Sequence, residues 1–335
     1  MSIATAIQNA QTKVANAYTA ISNKGGTLPA TQDLANMPTA IDSIPSGGGS
    51  KYGCTIDNLL GDVDANGVLQ LPVNTSGDIV FSGVKDVASY GLYYKYFFNT
   101  NLTHGVSFLD LEEVSTNYAL YYAFGSAGIT SVSLLKLKTV SGKNAMQGAF
   151  SNTRITSANL SELETVSGNN GIRQLFQSCA YMTSISAPKL KTATGTFALA
   201  YLVSATAITI FNLPELTTVN NSSCCYYLCS GCNQLETVNL TKLSDISGAS
   251  AFNGAFTSCP KLQHIYLNGL TTSSFGSYVN QFNNMFNTTS MSTSGNVNIH
   301  FPSNLSSTIS GLQGYPNFGA TAGRVTLLFD LPATS

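Results

Sequence analysis

The chain has 335 residues, a formal net charge of −1 and 9% charged residues, against about 25% in an ordinary soluble domain. Ser, Thr, Asn, Gly and Tyr fill the deficit, and without a basic run the chain is a poor partner for nucleic acid, whose binding rests on Lys and Arg neutralising phosphates. There is no apolar run long enough to span a bilayer, and no basic region followed by an apolar run and cleavage site as in a secretory signal, so neither nucleic-acid binding nor membrane insertion is expected.

Residues 2–23 are rich in alanine and set Ile3, Ile7, Val14, Tyr18 and Ile21 at spacings of three, four and seven. That pattern predicts a helix with one narrow apolar stripe, stopped by "NKGG" at 23–26 because glycine just past a helix ends it. Such a helix is marginal alone in water. Residues 1–45 are therefore read as an attachment and oligomerisation segment; folding back to cap the array is the alternative. A second short segment carries Leu34, Met37, Ile41 and Ile44, and residues 46–50 form a Gly/Ser linker.

Residues 51–79 are expected to be an N-terminal β cap. Its "DVDANG" opens like a calcium-binding loop through Asp62, Asp64, Asn66 and Gly67. Such a loop needs a carboxylate at its twelfth position, where this chain has Val73. A hairpin turn at Asn66-Gly67 accounts for the same residues without a metal.

From 80 to 290 the chain repeats. Val84, Leu111, Leu137, Leu163, Leu190, Leu216, Leu243 and Leu270 follow one another at gaps of 26 or 27 residues, and a fixed period in the twenties signifies a solenoid. Apolar residues recur eight before each anchor (Ile129, Ile155, Met182, Ile208, Leu235, Leu262), five before it, and three after it. A further station about thirteen residues past the anchor holds Phe98, Phe124, Phe150, Phe176 and Phe256, preceded by patches such as "NAMQGAF" that suit a helical turn. The predicted fold is a leucine-rich-repeat-like solenoid of about eight units, each a strand, turn, short helix and turn, with a helical N-terminal segment and a small C-terminal α/β cap.

Cys179, Cys232 and Cys259 sit sixteen residues after their anchors, where other units place Thr153 and Thr206. An inward station of small side chains favours buried free thiols; a Cys232 to Cys259 disulfide is the alternative, since neighbouring coils lie about 5 Å apart. Cys224, Cys225, Cys229 and Cys232 invite a zinc reading, but they lack paired knuckles, and no metal or cofactor is expected. His104, His264 and His300 fall in different units or in the cap, away from any cysteine or carboxylate at catalytic spacing. Glu112, Glu113, Glu164, Glu215, Glu236 and Asp245 read as solvated turn residues. The nucleophile-elbow, zinc-protease and phosphate-loop motifs are missing, and no catalytic residue is assigned.

Tyrosine is the residue that stands out. Tyr90, Tyr93, Tyr94 and Tyr96 fall in one unit, Tyr118, Tyr121 and Tyr122 in the next, and Tyr226 and Tyr227 further on. Stacked units set phenols side by side, and tyrosine offers a large amphipathic contact at low entropic cost. Tyr93, Tyr94, Tyr121, Tyr122, Tyr226 and Tyr227 are the predicted ligand-binding residues.

Residues 291–335 abandon the period. They hold two strand candidates, "VNIHF" and "RVTLLFDL", around a short helix, "SNLSSTISGL", and are expected to cover the open edge of the last coil.

The units "LPELTTVNN…LCSGCNQLETVNLTKL" and "NLSELETVSG…LFQSCAYMTSISAPKL" resemble the BspA-type leucine-rich repeat of bacterial surface proteins and of phages infecting them. The N-terminal "IQNAQTKVANAYTAISNKGGTLPATQDLANMPTAIDSI" is similar to a segment heading many phage structural and tail-associated proteins. The resemblance implies a right-handed curved solenoid that binds host-surface ligands and has no catalytic residues. The expected function is a non-enzymatic phage virion protein, a tail receptor-binding adhesin for a bacterial surface glycan or protein. It would contact other virion proteins through its N-terminal segment and form a homo-oligomer, with a trimer favoured. A bacterial cell-surface adhesin and a structural decoration or filament protein are the alternatives.

Overall fold

In the computed structural model, residues 11–18, 28–33, 36, 79–81, 85–87, 103, 105–271, 284–286, 296–306 and 325–333 are described. The linker at 46–50, the Asn66-Gly67 hairpin, Ile3, Ile7, Ile21, Tyr93, Tyr94 and His104 lie outside them. Within the predicted N-terminal helix, residues 11–18 are helical. Val14 is half-buried, and Tyr18 is buried with its hydroxyl donating to the carbonyl of Asp33 at 2.7 Å.

Among the described residues the repeat is a parallel β-solenoid of about seven turns, against the eight units expected. One face stacks β1 (Ile79–Phe81), β2 (Val106–Phe108), β4 (Val132–Ser133), β6 (Ser157–Asn159) and β8 (Ser184–Ser186) in parallel. A second ladder on this face runs through β10 (Ile210–Asn212), β11 (Thr237–Asn239), β12 (His264–Tyr266), β13 (Val297–Pro302) and β14 (Val325–Leu331). The next face stacks the two-residue strands β3 (Glu113–Val114), β5 (Thr139–Val140), β7 (Thr165–Val166) and β9 (Thr192–Ala193); single bridges carry it on through Thr218 to Asp245.

The third face corrects the expected short helices. Amide groups there alternate between two partners: Leu120 N donates to Ala145 O on the next coil, whereas Ala123 N donates back to Leu120 O. A helix would direct every amide along its own axis; here every second one serves the neighbouring coil. Every fourth residue has positive φ, as at Asn144, Gly148 and Asn152, or at Asn170, Gln174 and Ser178. Such residues cannot continue a right-handed helix.

Inside, each station becomes a column. The anchors Leu111 to Leu270 are buried, and Phe124, Phe150 and Phe176 stack with centroids 5.5 and 5.9 Å apart. The sixteenth-residue station is the expected small-residue ladder, with all six described cysteines free. Cys179 Sγ donates to Phe150 O at 3.1 Å and lies 3.2 Å from the Thr153 hydroxyl; Cys232 repeats this with Val203 O and Thr206. At the fifth residue past the anchor, Gly142, Gly168, Gly195 and Gly248 press against the carbonyl of the previous coil; a Cβ on any of them would lie within 2.2 Å of that oxygen.

The acids flanking the anchors are not simply solvated. Asp110, Lys136, Glu162, Lys189, Glu215 and Lys242 form one column of alternating sign. Lys136 pairs with Asp110 at 2.8 Å, Lys189 with Glu162 at 2.7 Å and Lys242 with Glu215 at 2.7 Å. Beside it, Lys138 pairs with Glu112 at 3.0 Å. At the far end, β13 pairs in parallel with β12, and β14 with β13, so the two predicted C-terminal strands extend the first face. Between them only a 3-10 turn at Ser303–Leu305, followed by residue 306, is helical among the described residues.

Candidate ligand-binding face

The tyrosines lie on the turn face, where each coil offers side chains at three positive-φ stations. The first station runs Tyr118, Asn144, Asn170, Phe197, Ser223 and Ser250; the second runs Tyr122, Gly148, Gln174, Tyr201, Tyr227 and Gly254. Asn and Gly suit this backbone, whereas a bulky side chain there costs about 1–2 kcal/mol. Tyr118, Tyr122, Phe197, Tyr201 and Tyr227 all accept that cost, at φ between 47° and 59°.

Four of the six predicted tyrosines are described, and they form two clusters rather than one stripe. In the first, Tyr121 meets Tyr118 and Tyr122 edge to face, with centroids 5.5 and 4.8 Å apart. In the second, Tyr226 and Tyr227 lie 4.5 Å apart, Tyr201 stacks on Tyr227 at 5.3 Å, and Phe197 meets Tyr226 at 5.7 Å. Phe197 and Tyr201 were missed by the sequence reading, although Tyr201 occupies the station of Tyr122 and Tyr227. All these rings are half-buried.

Between the clusters lies a polar strip. Tyr122 donates its hydroxyl hydrogen to Gln174 Oε1 at 2.7 Å, and Gln147 Nε2 donates to the same oxygen at 3.3 Å. Gln174 Nε2 in turn donates to Gln177 Oε1 at 2.6 Å. The Arg173 guanidinium lies 5.3 Å from the centroid of Phe197 and 5.7 Å from that of Tyr201. Its Nε is buried without a hydrogen-bond partner. Two aromatic platforms flanking amides and a cation supply flat apolar contact and directed hydrogen bonds, the combination that recognition surfaces use.

At the C-terminal end of the solenoid, two histidines are held by structural hydrogen bonds. His300 Nδ1 lies 2.9 Å from Asp330 Oδ2, and His300 Nε2 lies 3.0 Å from His264 Nδ1. Tyr266 stacks on His300 at 4.4 Å. With the carboxylate accepting the Nδ1 hydrogen, His300 Nε2 becomes the acceptor for His264. The chain Asp330–His300–His264 thus ties β12, β13 and β14 together. Sequence reading could not find it because β13 enters after the period has broken.

The six described cysteines are all buried. Burial pushes the Cys229 thiol well above the ordinary range, as does the bond with Cys224 together with burial for Cys225. Cys224 donates to Ala193 O and Cys232 to Val203 O, so their thiols serve different carbonyls. Among the described residues, no group of three or more His, Cys, Asp or Glu is placed to hold a metal ion, and no helix is long and apolar enough to cross a membrane.

No protein-family model matches the chain, and no curated protein matches it. Among solved structures, the pneumococcal vaccine antigen PcpA is similar at 13% identity, over 81% of this chain and 82% of that one, with a TM-score of 0.27. So loose a superposition supports no functional reading.

Proposed function

We propose that this chain is a non-enzymatic recognition protein that binds a glycan or protein of a bacterial surface through its turn face. The observation that carries the reading is the placement of five aromatic residues at left-handed backbone positions that Asn or Gly fills in other coils. Strained residues gathered on one surface point to selection for contact rather than for stability. The proposal extends to location: the N-terminal segment resembles phage tail-associated proteins, so the chain is assigned to the virion tail. Residues 1–45 would serve there as attachment to other virion proteins and as a trimerisation segment, since multivalency raises the avidity of weak single sites.

The test separates binding from folding. Tyr227→Asn relieves about 1 kcal/mol of left-handed strain while losing ring packing of similar size, so the melting temperature is expected to stay within a few degrees. Adhesion of the full-length protein to host cells, measured by flow cytometry, is expected to drop several-fold for Tyr227→Asn and to vanish when Tyr121, Tyr122 and Tyr226 are also changed to Ser. Undiminished adhesion by the fourfold variant removes the turn face from the reading. Immunogold labelling decides location: gold at tail ends supports the virion assignment, and gold on the cell envelope replaces it with a cellular adhesin.

A further inference from the structure

A separate groove, not used by the aromatic clusters, opens where the turn face bends back towards the first strand face. It encloses about 480 Å³ and is lined by Ser126, Asn152, Arg154, Ser178 and Tyr181, among others. Tyr181 is 63% exposed and has no ring partner among the described residues. Arg154 is exposed, its backbone amide donates to Ile129 O at 3.0 Å, and its guanidinium makes no hydrogen bond or ion pair among the described residues. Asn152 Nδ2 donates to Ser126 Oγ at 3.1 Å, which fixes the amide along the groove wall. The floor is closed: Thr153 turns inward to Phe150 O.

The charge distribution makes Arg154 distinctive. In the same coils, the acids Asp110, Glu112 and Glu162 are engaged by Lys136, Lys138 and Lys189 beside the anchors. No carboxylate lines the groove among the described residues. A planar guanidinium left uncompensated in a concave site is suited to bidentate pairing with an oxyanion. The exposed Tyr181 ring offers a flat face, and Ser126, Asn152 and Ser178 offer hydroxyl and amide groups. We propose that this groove binds an anionic saccharide unit, with Arg154 pairing to its carboxylate or phosphate and Tyr181 packing on the adjoining ring or glycerol carbons. The site stands independently of the aromatic clusters.

The test uses the full-length protein and three probes in calorimetric titrations: a galacturonic acid tetramer, a glycerol phosphate oligomer and a neutral galactose tetramer. At least one acidic probe is expected to bind, more weakly as salt rises, and the neutral one at least tenfold more weakly. Whichever acidic probe binds distinguishes a uronate from a phosphate source. Arg154→Gln is expected to reduce that affinity tenfold or more and Tyr181→Ser about threefold, with melting temperatures unchanged because both side chains are exposed. Tyr226→Ser with Tyr227→Ser is expected to leave it unaltered, so that failure of the turn-face reading is read separately. The proposal is overturned if neither acidic probe binds, if the neutral probe binds equally well, or if Arg154→Gln binds like the parent chain.

Discussion

Tyr122 reaches two coils along the solenoid to donate a 2.7 Å hydrogen bond to Gln174 Oε1, and it does so across Gly148. A Cβ on that glycine would lie 2.3 Å from the tyrosine ring. Tyr227 lies over Gly254 in the same way four coils further on, with 2.5 Å between the ring and an added Cβ. The glycines are therefore the beds on which two of the candidate binding rings lie.

Gly148→Ala tests this directly. Gly148 also has φ of +61°, so alanine adds about 1 kcal/mol of backbone strain and lifts the Tyr122 ring from its bed. The expected result is a modest fall in urea midpoint, together with loss of the Tyr122 to Gln174 bond, visible as a changed tyrosine environment in near-ultraviolet circular dichroism. An unchanged tyrosine signal would contradict the packing.

The alternating charges predict a register effect. Glu162→Lys sets Lys136, Glu162's replacement and Lys189 in one column as three successive cations. Exposed pairs contribute about 0.5 kcal/mol each, so the reversal should cost roughly twice that, and adding Lys189→Glu should recover part of it. Equal stability for the single and double variants would show that the column contributes nothing.

Acid and base limbs follow from the neighbouring pair. The hydrogen bond from Lys138 holds the Glu112 carboxyl below its ordinary value, and the bond to Glu112 raises Lys138. The Glu112 contribution is thus complete above about pH 4.3 and disappears as pH falls through the lowered folded value. The Lys138 contribution is complete below about pH 10.4 and disappears as pH rises through the raised one. Denaturant unfolding of Glu112→Gln between pH 5 and 3 should show a shallower loss of stability than the parent chain; parallel acid limbs would refute the linkage.

Much of this architecture was legible from spacing alone. The anchors, the phenylalanine column and the small-residue ladder of Thr153, Cys179, Thr206 and Cys232 all follow from one register, because a solenoid places equivalent residues directly over one another. The turn face was misread since "NAMQGAF" and "GIRQLF" are locally compatible with helix. The contrary signal was the recurrence of Asn, Gly or Ser every fourth residue, at Asn144, Gly148 and Asn152. The same alignment held Phe197 and Tyr201 at the stations of Tyr118 and Tyr122. The Asp330–His300–His264 chain was beyond this method, because Ile265 pairs with Ile299 after an interval longer than the period.

The thiols offer a check on the interior. The six described cysteines are buried, and a thiolate, not a thiol, is the reactive form. Burial holds Cys259 far above the range in which it would ionise at neutral pH. In native buffer these six should resist iodoacetamide for hours, and all should react in guanidinium. Rapid native labelling of Cys229 or Cys259, read by mass spectrometry, would show that the coils open where the structure has them closed.

The glycine column sets the strictest demand on sequence. Gly168 stands over Gly142, and a Cβ there would approach the Gly142 carbonyl oxygen to 2.1 Å; Gly195 stands in the same way over Gly168. Because the clash is with backbone, no rotamer change relieves it, and the coils must separate where Ser167 and Gly168 donate to Val140 O. Forced expansion of a packed interior costs about 1–3 kcal/mol, and here it also lengthens inter-coil hydrogen bonds. Gly168→Ala is expected to lower stability by at least the upper part of that range. Asn221, which occupies the equivalent station in a later coil, shows that the column can be interrupted when the side chain bonds across the gap, as its Nδ2 does to Thr194 O at 2.9 Å. Gly168→Asn should therefore be less damaging than Gly168→Ala in chemical denaturation, despite its larger volume. The reverse order would mean that steric size alone governs the station.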